Sequence, residues 1–272
     1  MGSSLNPKKL ESWILSGREA DFMVVDIRGK EAYGREHIPG AVHIPAMEVI
    51  SHPLITQARR KLVFYCRNGK RSKAALIFAE DAGVPRENLF NLEGGICAYN
   101  GEILMDLPRV ETFPHGLDIS QVMERALALE KGAFLFYKRI QGLYGGGPLE
   151  SLMMKMAGAE VAHGKAIFRC LERIKDIPLE FDVYFDQVDG NIFEGGKTED
   201  ALDEILEQVD SNNYLDLLDF AIEMEVEAYD LYRNMAEKSV EPPLKEMFLT
   251  LAQAEKNHIR DILKAQGDDV IP

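Results

Sequence analysis

The sequence predicts two parts of different class: an α/β part with a parallel sheet flanked by helices over residues 1–105, and an all-α four-helix bundle over residues 118–272. Three observations carry this reading. Up to residue 105, short apolar runs of strand length alternate with helical stretches, the pattern of βα units. Between Gly101 and Gly116 the pattern dissolves, and Pro108, Pro114 and Gly116 break any helix, so 106–117 reads as a linker. Beyond it come long amphipathic stretches, and the second pair repeats the first at a constant offset of 95 residues.

Taken in order, Phe22-Met23-Val24-Val25-Asp26 and Lys61-Leu62-Val63-Phe64-Tyr65 are the clearest strands, and Ser72–Ala82 is a helix. Ile38-Pro39-Gly40, Gly83-Val84-Pro85 and Gly94-Gly95 mark turns. Asp118 is suited to cap a helix over 118–143. Helices at 148–175, 213–239 and 242–266 follow, with Pro148 and Pro242-Pro243 placed where proline opens a helix. Two hairpins thus flank one long crossover, about 177–212, which contains Gly190, Gly195-Gly196 and a short helix expected at 198–208. That length lets the second helix pair return beside the first.

With 272 residues, 46% of them hydrophobic and 28% charged, the chain can bury a core in each part. The net charge of −14 is unevenly placed: residues 1–110 hold 15 Lys and Arg against 13 Asp and Glu, the rest 16 against 32. Such acidity argues against a nucleic-acid partner and tolerates cations. No run approaches the 18 or so apolar residues that cross a bilayer, and the start lacks an apolar leader, so no membrane partner and a cytoplasmic location are expected. Cys66, Cys97 and Cys170 are too few and too odd for a disulfide framework, which fits a reducing compartment. The absence of Cys-x-x-Cys excludes a rubredoxin-type iron–sulfur knuckle on this chain.

The repeat carries a metal-binding pattern twice. Glu130, then Glu160-x-x-His163, recurs as Glu225, then Glu255-x-x-His258. Ala126/Ala221, Ala133/Ala228, Tyr137/Tyr232, Ala157/Ala252, Ala159/Ala254 and Ile167/Ile262 coincide at the same offset. Residues three apart on a helix share a face, so each Glu-x-x-His can grip one ion. A bundle with a dinuclear carboxylate site takes one Glu from each of two helices and a Glu-x-x-His from each of the others, the full set present here. Carboxylate and imidazole suit iron or manganese, and four carboxylates offset two divalent ions.

In the first part, Cys66-Arg67-Asn68-Gly69-Lys70-Arg71-Ser72 follows an apolar strand and opens a helix, where backbone amides converge on an anion. With Arg67, Lys70 and Arg71 nearby, the Cys66 thiol is expected to be depressed and nucleophilic at neutral pH. Four residues separate Cys66 from Arg71, one fewer than in the phosphatase loop that encloses a phosphate, which favours sulfur.

Val25-Asp26-Ile27-Arg28, Glu36-His37-Ile38-Pro39-Gly40-Ala41, the Cys66 loop and Leu92-Glu93-Gly94-Gly95-Ile96 together resemble the rhodanese domain over about residues 5–105. The resemblance implies that Cys66 takes a sulfane sulfur as a persulfide, with Arg71 at the catalytic loop and Arg67, Asn68, Gly69, Lys70 and Arg71 holding the anion. It implies loop support from Asp26 and Arg28, a structural role for His37, a thiosulfate-like donor and a thiol or cyanide-like acceptor. The family often has a Trp where Tyr99 stands, and Cys97 reads as a surface thiol or a resolving one.

Glu130-x-x-Ala133-x-x-Phe136-Tyr137, Glu160-x-x-His163, Glu225-x-x-Ala228-x-x-Leu231-Tyr232 and Glu255-x-x-His258 look like the rubrerythrin branch of the ferritin-like di-iron proteins, over about 118–266. This implies two iron ions, with manganese as the alternative, reaction with peroxide or dioxygen, and Tyr137 and Tyr232 near the metals. It also implies an external electron donor such as rubredoxin, and allows a homodimer. Rubrerythrins proper carry an additional carboxylate one turn from the third-helix ligand. Here those neighbours are Ala221, Ile222, Ala228 and Tyr229, which leaves the reaction open. The expected function is therefore a sulfurtransferase fused to a di-iron oxidoreductase, the alternative being a persulfide carrier joined to a metal-binding or sensing bundle that does not turn over.

Overall fold

The computed structural model describes residues 3–105, 108, 110–114, 116–143, 148–192, 203 and 215–267. It forms two compact units: Met1–Pro108 with Tyr229–Val240 and Phe248–Lys256, and Arg109–Ala228 with Glu241–Met247 and Asn257–Pro272.

The first unit is built on a five-stranded parallel sheet in the order β1-β5-β4-β2-β3, with β1 at Ser3–Leu5, β2 at Phe22–Asp26, β3 at Ala41–His43, β4 at Lys61–Tyr65 and β5 at Leu89–Leu92. Helices α1 (Pro7–Ser16), α2 (Lys30–Arg35), α3 (Pro53–Thr56) and α4 (Lys70–Asp81) make the crossovers. α1 begins at Asn6, whose side chain accepts from the Lys8 amide at 2.9 Å, with Pro7 in the first turn. β2 and β4 bury nearly every residue because both faces are covered, so they read as continuous apolar runs. One face packs Met23, Val25, Leu62, Phe64, Cys66, Ala75, Leu76, Ala79 and Leu89 into a single core, which seats α4 over β4 and β5.

The 229–240 and 248–256 segments join this unit through buried charge. Arg233 meets Glu19 at 2.7 Å and Glu237 at 3.0 Å; Arg60 also pairs with Glu237. Lys256, fully buried, pairs with Glu19 and donates to the Gly17 carbonyl at 2.7 Å. Two carboxylates and three cations thus satisfy one another away from water, the condition under which buried charge is tolerated.

The helical elements are α5 (Ile119–Leu143), α6 (Pro148–Leu171), α7 (Phe181–Gln187), α8 (Leu215–Lys238) and α9 (Pro242–Gly267). Asp118 caps α5 as expected: its carboxylate accepts from the Gln121 amide at 3.0 Å while its own amide donates to Gln121 Oε1 at 2.9 Å, a reciprocal capping box. α6 stops at Leu171 rather than continuing to 175. α7 was not expected. Phe181 and Phe185, four apart, stack at 5.0 Å, and they meet Phe168 and Phe134 at 5.6 and 5.9 Å, so aromatic packing rather than length holds this short helix. The helix expected at 198–208 lies outside the described residues, save Asp203. Ala133, Phe136, Tyr137, Met153, Met156, Leu217, Phe220, Met224 and Ile262 form the core of the second unit. No described helix is long and apolar enough to cross a membrane.

Candidate functional site

Cys66 is the first residue past β4 and is buried. The loop turns at Gly69, whose φ of 79° favours glycine, and its side-chain space is closed by the Leu92 carbonyl 3.0 Å from where a Cβ would lie. Behind the loop, Gly95 (φ 62°) approaches so closely that a Cβ would fall 2.2 Å from the Cys66 carbonyl. The Ile96 and Cys97 amides donate to the Cys66 and Arg67 carbonyls at 2.9 and 3.1 Å. The amides of Asn68, Arg71 and Ser72 face the sulfur.

Burial pushes the Cys66 thiol up, but hydrogen bonds from the Ser72 hydroxyl, 3.4 Å from Sγ, and from the amides of Ser72, Asn68 and Arg71 outweigh it, so the thiol lies below its ordinary value. The sequence pointed to converging amides and neighbouring cations; the leading stabilisers are hydrogen bonds, the amides among them, with the Ser72 hydroxyl first. Arg67, Asn68, Lys70 and Arg71 are exposed, and Asn68 Oδ1 accepts from the Lys70 amide at 3.3 Å. Cys97 is exposed and Cys170 partly buried.

Asp26 and Arg28 form a buried pair, with Arg28 Nη2 2.7 Å from Asp26 Oδ2 and 2.5 Å from the Glu36 carbonyl. Arg28 also meets the Glu36 carboxylate at 3.4 Å, its guanidinium sits 5.5 Å over the Tyr65 ring, and its carbonyl lies 2.8 Å from His43 Nε2.

In the bundle, Glu130, Glu160, Glu225 and Glu255 have no exposed surface, and His258 is 4% exposed. Glu160 and His163 of α6 and Glu255 and His258 of α9 present four ligand atoms within 4.8 Å of one another. His163 Nδ1 lies 3.1 Å from Glu130 Oε2 and 3.0 Å from Glu160 Oε2; His258 Nδ1 lies 3.1 Å from Glu225 Oε2 and 3.2 Å from Glu160 Oε1. The two imidazoles stack at 4.9 Å. Burial pushes the Glu160 carboxyl up to about 7 against the pull of His258 and His163. Burial pulls His163 down, yet its bonds to Glu130 and Glu160 leave it well above its ordinary value. Four buried carboxylates beside two imidazoles fit the donor set that divalent iron or manganese takes. The Tyr137 hydroxyl donates to Glu225 Oε1, next to this cluster. Tyr232 is buried and stacks with Phe248 at 6.0 Å.

Sequence reasoning singled out neither the Ser72 hydroxyl nor Asp230, which meets the 37–40 turn. Ser72 stood at the end of the quoted loop; Asp230 had no signal, since its partners lie 190 and 193 residues away.

Residues 6–102 match the family model described as rhodanese-like domain, and residues 216–269 match that described as rubrerythrin. A sulfurtransferase of Allochromatium vinosum is 33% identical over 94 residues, covering 34% of this chain and 86% of that protein. The "Probable adenylyltransferase/sulfurtransferase MoeZ" of Mycobacterium tuberculosis is 32% identical over 108 residues, 39% of this chain; the match spans about a quarter of that relative, 26%. A rhodanese-related protein from Thermoplasma volcanium superposes with a TM-score of 0.33 at 24% identity, covering 38% of this chain and 99% of that one. The chain belongs to the rhodanese-like family through residues 6–102 and carries a rubrerythrin domain at residues 216–269.

Proposed function

We propose that the chain is a sulfurtransferase acting through a Cys66 persulfide, fused to a di-iron carboxylate oxidoreductase that acts on peroxide or dioxygen, with residues 1–105 and 118–272 as the two domains and 106–117 as their linker. The observation that carries the sulfur half is the depressed Cys66 thiol facing the Ser72 hydroxyl and the amides of Asn68, Arg71 and Ser72. The Cys66 thiolate attacks the outer sulfur of a thiosulfate-like donor. A Cys66–S bond forms, the donor's S–S bond breaks, and sulfite leaves with the electron pair. The loop amides hold the persulfide anion, and Arg67, Lys70 and Arg71 draw in anionic donors. An acceptor thiolate or cyanide then takes the outer sulfur, and Cys66 departs as thiolate. Asp26 and Arg28 hold the end of β4 in place.

Glu130, Glu160, His163, Glu225, Glu255 and His258 would hold two iron ions, or manganese. Bound metal would supply redox chemistry toward peroxide or dioxygen, with electrons from an external donor. Tyr137 fixes the orientation of Glu225 by donating to it, and Tyr232 packs beside Phe248.

The test of the sulfur half is thiosulfate-to-cyanide transfer: Cys66→Ser is expected to abolish it, and undiminished turnover removes Cys66 as the nucleophile. For the metal half, peroxide added to the reduced, metal-loaded protein is expected to oxidise it rapidly, with re-reduction by an added donor. Slow bleaching with no recovery assigns the bundle to metal holding alone.

A further inference from the structure

The turn His37-Ile38-Pro39-Gly40 is held by a carboxylate far downstream. Asp230, on the 229–240 segment of the first unit, is 1% exposed. Its Oδ1 accepts from the Gly40 amide at 2.6 Å and its Oδ2 meets His37 Nε2 at 3.1 Å. Asn234 Nδ2 braces it, 3.0 Å from the Asp230 carbonyl and 3.4 Å from Oδ1. The helix approaches the turn so closely that a Cβ on Gly40, where φ is 70°, would fall 2.8 Å from the Tyr229 ring and hydroxyl.

The same turn touches the catalytic strand. The Ile38 amide donates to the Tyr65 hydroxyl at 3.2 Å, and Tyr65, fully buried, is the residue before Cys66. Its carbonyl accepts from the Ile27 amide at 3.1 Å, and Arg28 lies over its ring while also holding the Glu36 carbonyl. The turn is therefore pinned by Arg28 at one end and Asp230 at the other, and its middle amide fixes the Tyr65 side chain. A loop whose amides must converge on one sulfur depends on where its first residue starts, and small misplacements of such groups are costly in rate.

We infer that Asp230 is a positioning residue for sulfur transfer: it sets the 37–40 turn and, through Ile38 and Tyr65, the start of the loop that carries Cys66. The inference rests on the reading of Cys66 as the sulfur nucleophile. As a carboxylate, Asp230 accepts from both the Gly40 amide and His37 Nε2. Asparagine removes the charge and offers one oxygen; with that oxygen on the Gly40 amide, its NH2 faces Nε2 and is satisfied only if the imidazole takes its other tautomer.

The experiment uses the full chain with Asp230→Asn, Tyr65→Phe and, as a control for lost buried charge, Arg60→Met. Three quantities are read: kcat and KM for thiosulfate-to-cyanide transfer, and the pH midpoint of Cys66 alkylation by iodoacetamide. Asp230→Asn and Tyr65→Phe are expected to lower kcat roughly tenfold at unchanged KM, inside the roughly 100-fold that small misplacements cost. Both are expected to move the alkylation midpoint upward, while Arg60→Met leaves kcat and midpoint at wild-type values. A wild-type midpoint in either of the first two, or an equal shift in Arg60→Met, overturns the inference. Alkylation is read whether or not thiosulfate is the donor, so failure of the sulfurtransferase reading, seen as no loss in Cys66→Ser, is distinguishable from failure of the relay.

Discussion

Cys66 sits where an apolar strand delivers it into a ring of donors, and the balance there is fine. Burial raises the thiol, and the Ser72 hydroxyl is the first of the groups that bring it below its ordinary value of 9.0. A hydrogen bond of this kind contributes about 1 kcal/mol, or about fivefold in thiolate population. Ser72→Ala is accordingly expected to shift the alkylation midpoint of Cys66 toward higher pH and to slow alkylation at neutral pH about fivefold. The sign follows from the charge: thiolate predominates above the depressed value and is lost as pH falls through it, so reactivity falls toward acid in the wild type and falls sooner without Ser72. An unchanged midpoint in that variant would remove the hydroxyl from the account. Cys66 and the Glu-x-x-His pairs were legible in the sequence because each is a local pattern with its own spacing. The Ser72 contact and the Asp230 turn were not, because a hydroxyl's direction and a partner 190 residues away leave no period to read.

Among the elements, α8 and α9 do two kinds of work along their lengths. Glu225 and His258 face the ligand cluster, while Arg233 and Lys256 meet Glu19 in the first unit. Removing one partner from a buried ion pair costs about 3–5 kcal/mol, because the remaining charge is left without compensation. Arg233→Ala is expected to cost less than that in chemical denaturation, since Glu19 and Glu237 each lose a partner but keep Lys256 and Arg60. Combining it with Glu19→Gln, which also takes the carboxylate from Lys256, is expected to cost less than the two single changes summed, and strict additivity would argue against the coupling. The helices themselves were legible to within a few residues from amphipathic pattern, proline starts and the Asp118 cap. α7 was hidden because its seven residues hold their place through Phe181 and Phe185, contacts that only the folded chain supplies.

For the whole molecule, the α/β and helical parts of the sequence were distinguishable from the change of period and of charge near residue 110. What the pattern did not convey is that residues 229–240 and 248–256 belong to the compact unit that carries Cys66. The proposed metal centre predicts a global effect: the reconstituted chain is expected to hold about two iron or manganese ions by elemental analysis, and chelation to lower its melting temperature. At free metal 100 times the dissociation constant the gain is about 2.7 kcal/mol; no bound metal after reconstitution would sink the centre. The discontinuity of the first unit also matters during synthesis. The five strands and the Cys66 loop leave the ribosome while Asp230, Arg233 and Lys256 are still untranslated, a wait of roughly 10–40 s for the 190 residues between Gly40 and Asp230 at about 5–20 residues per second. Through that interval the Glu19 carboxylate and the Gly40 amide face water or a chaperone, and the unit that carries Cys66 is completed last from the far end of the chain.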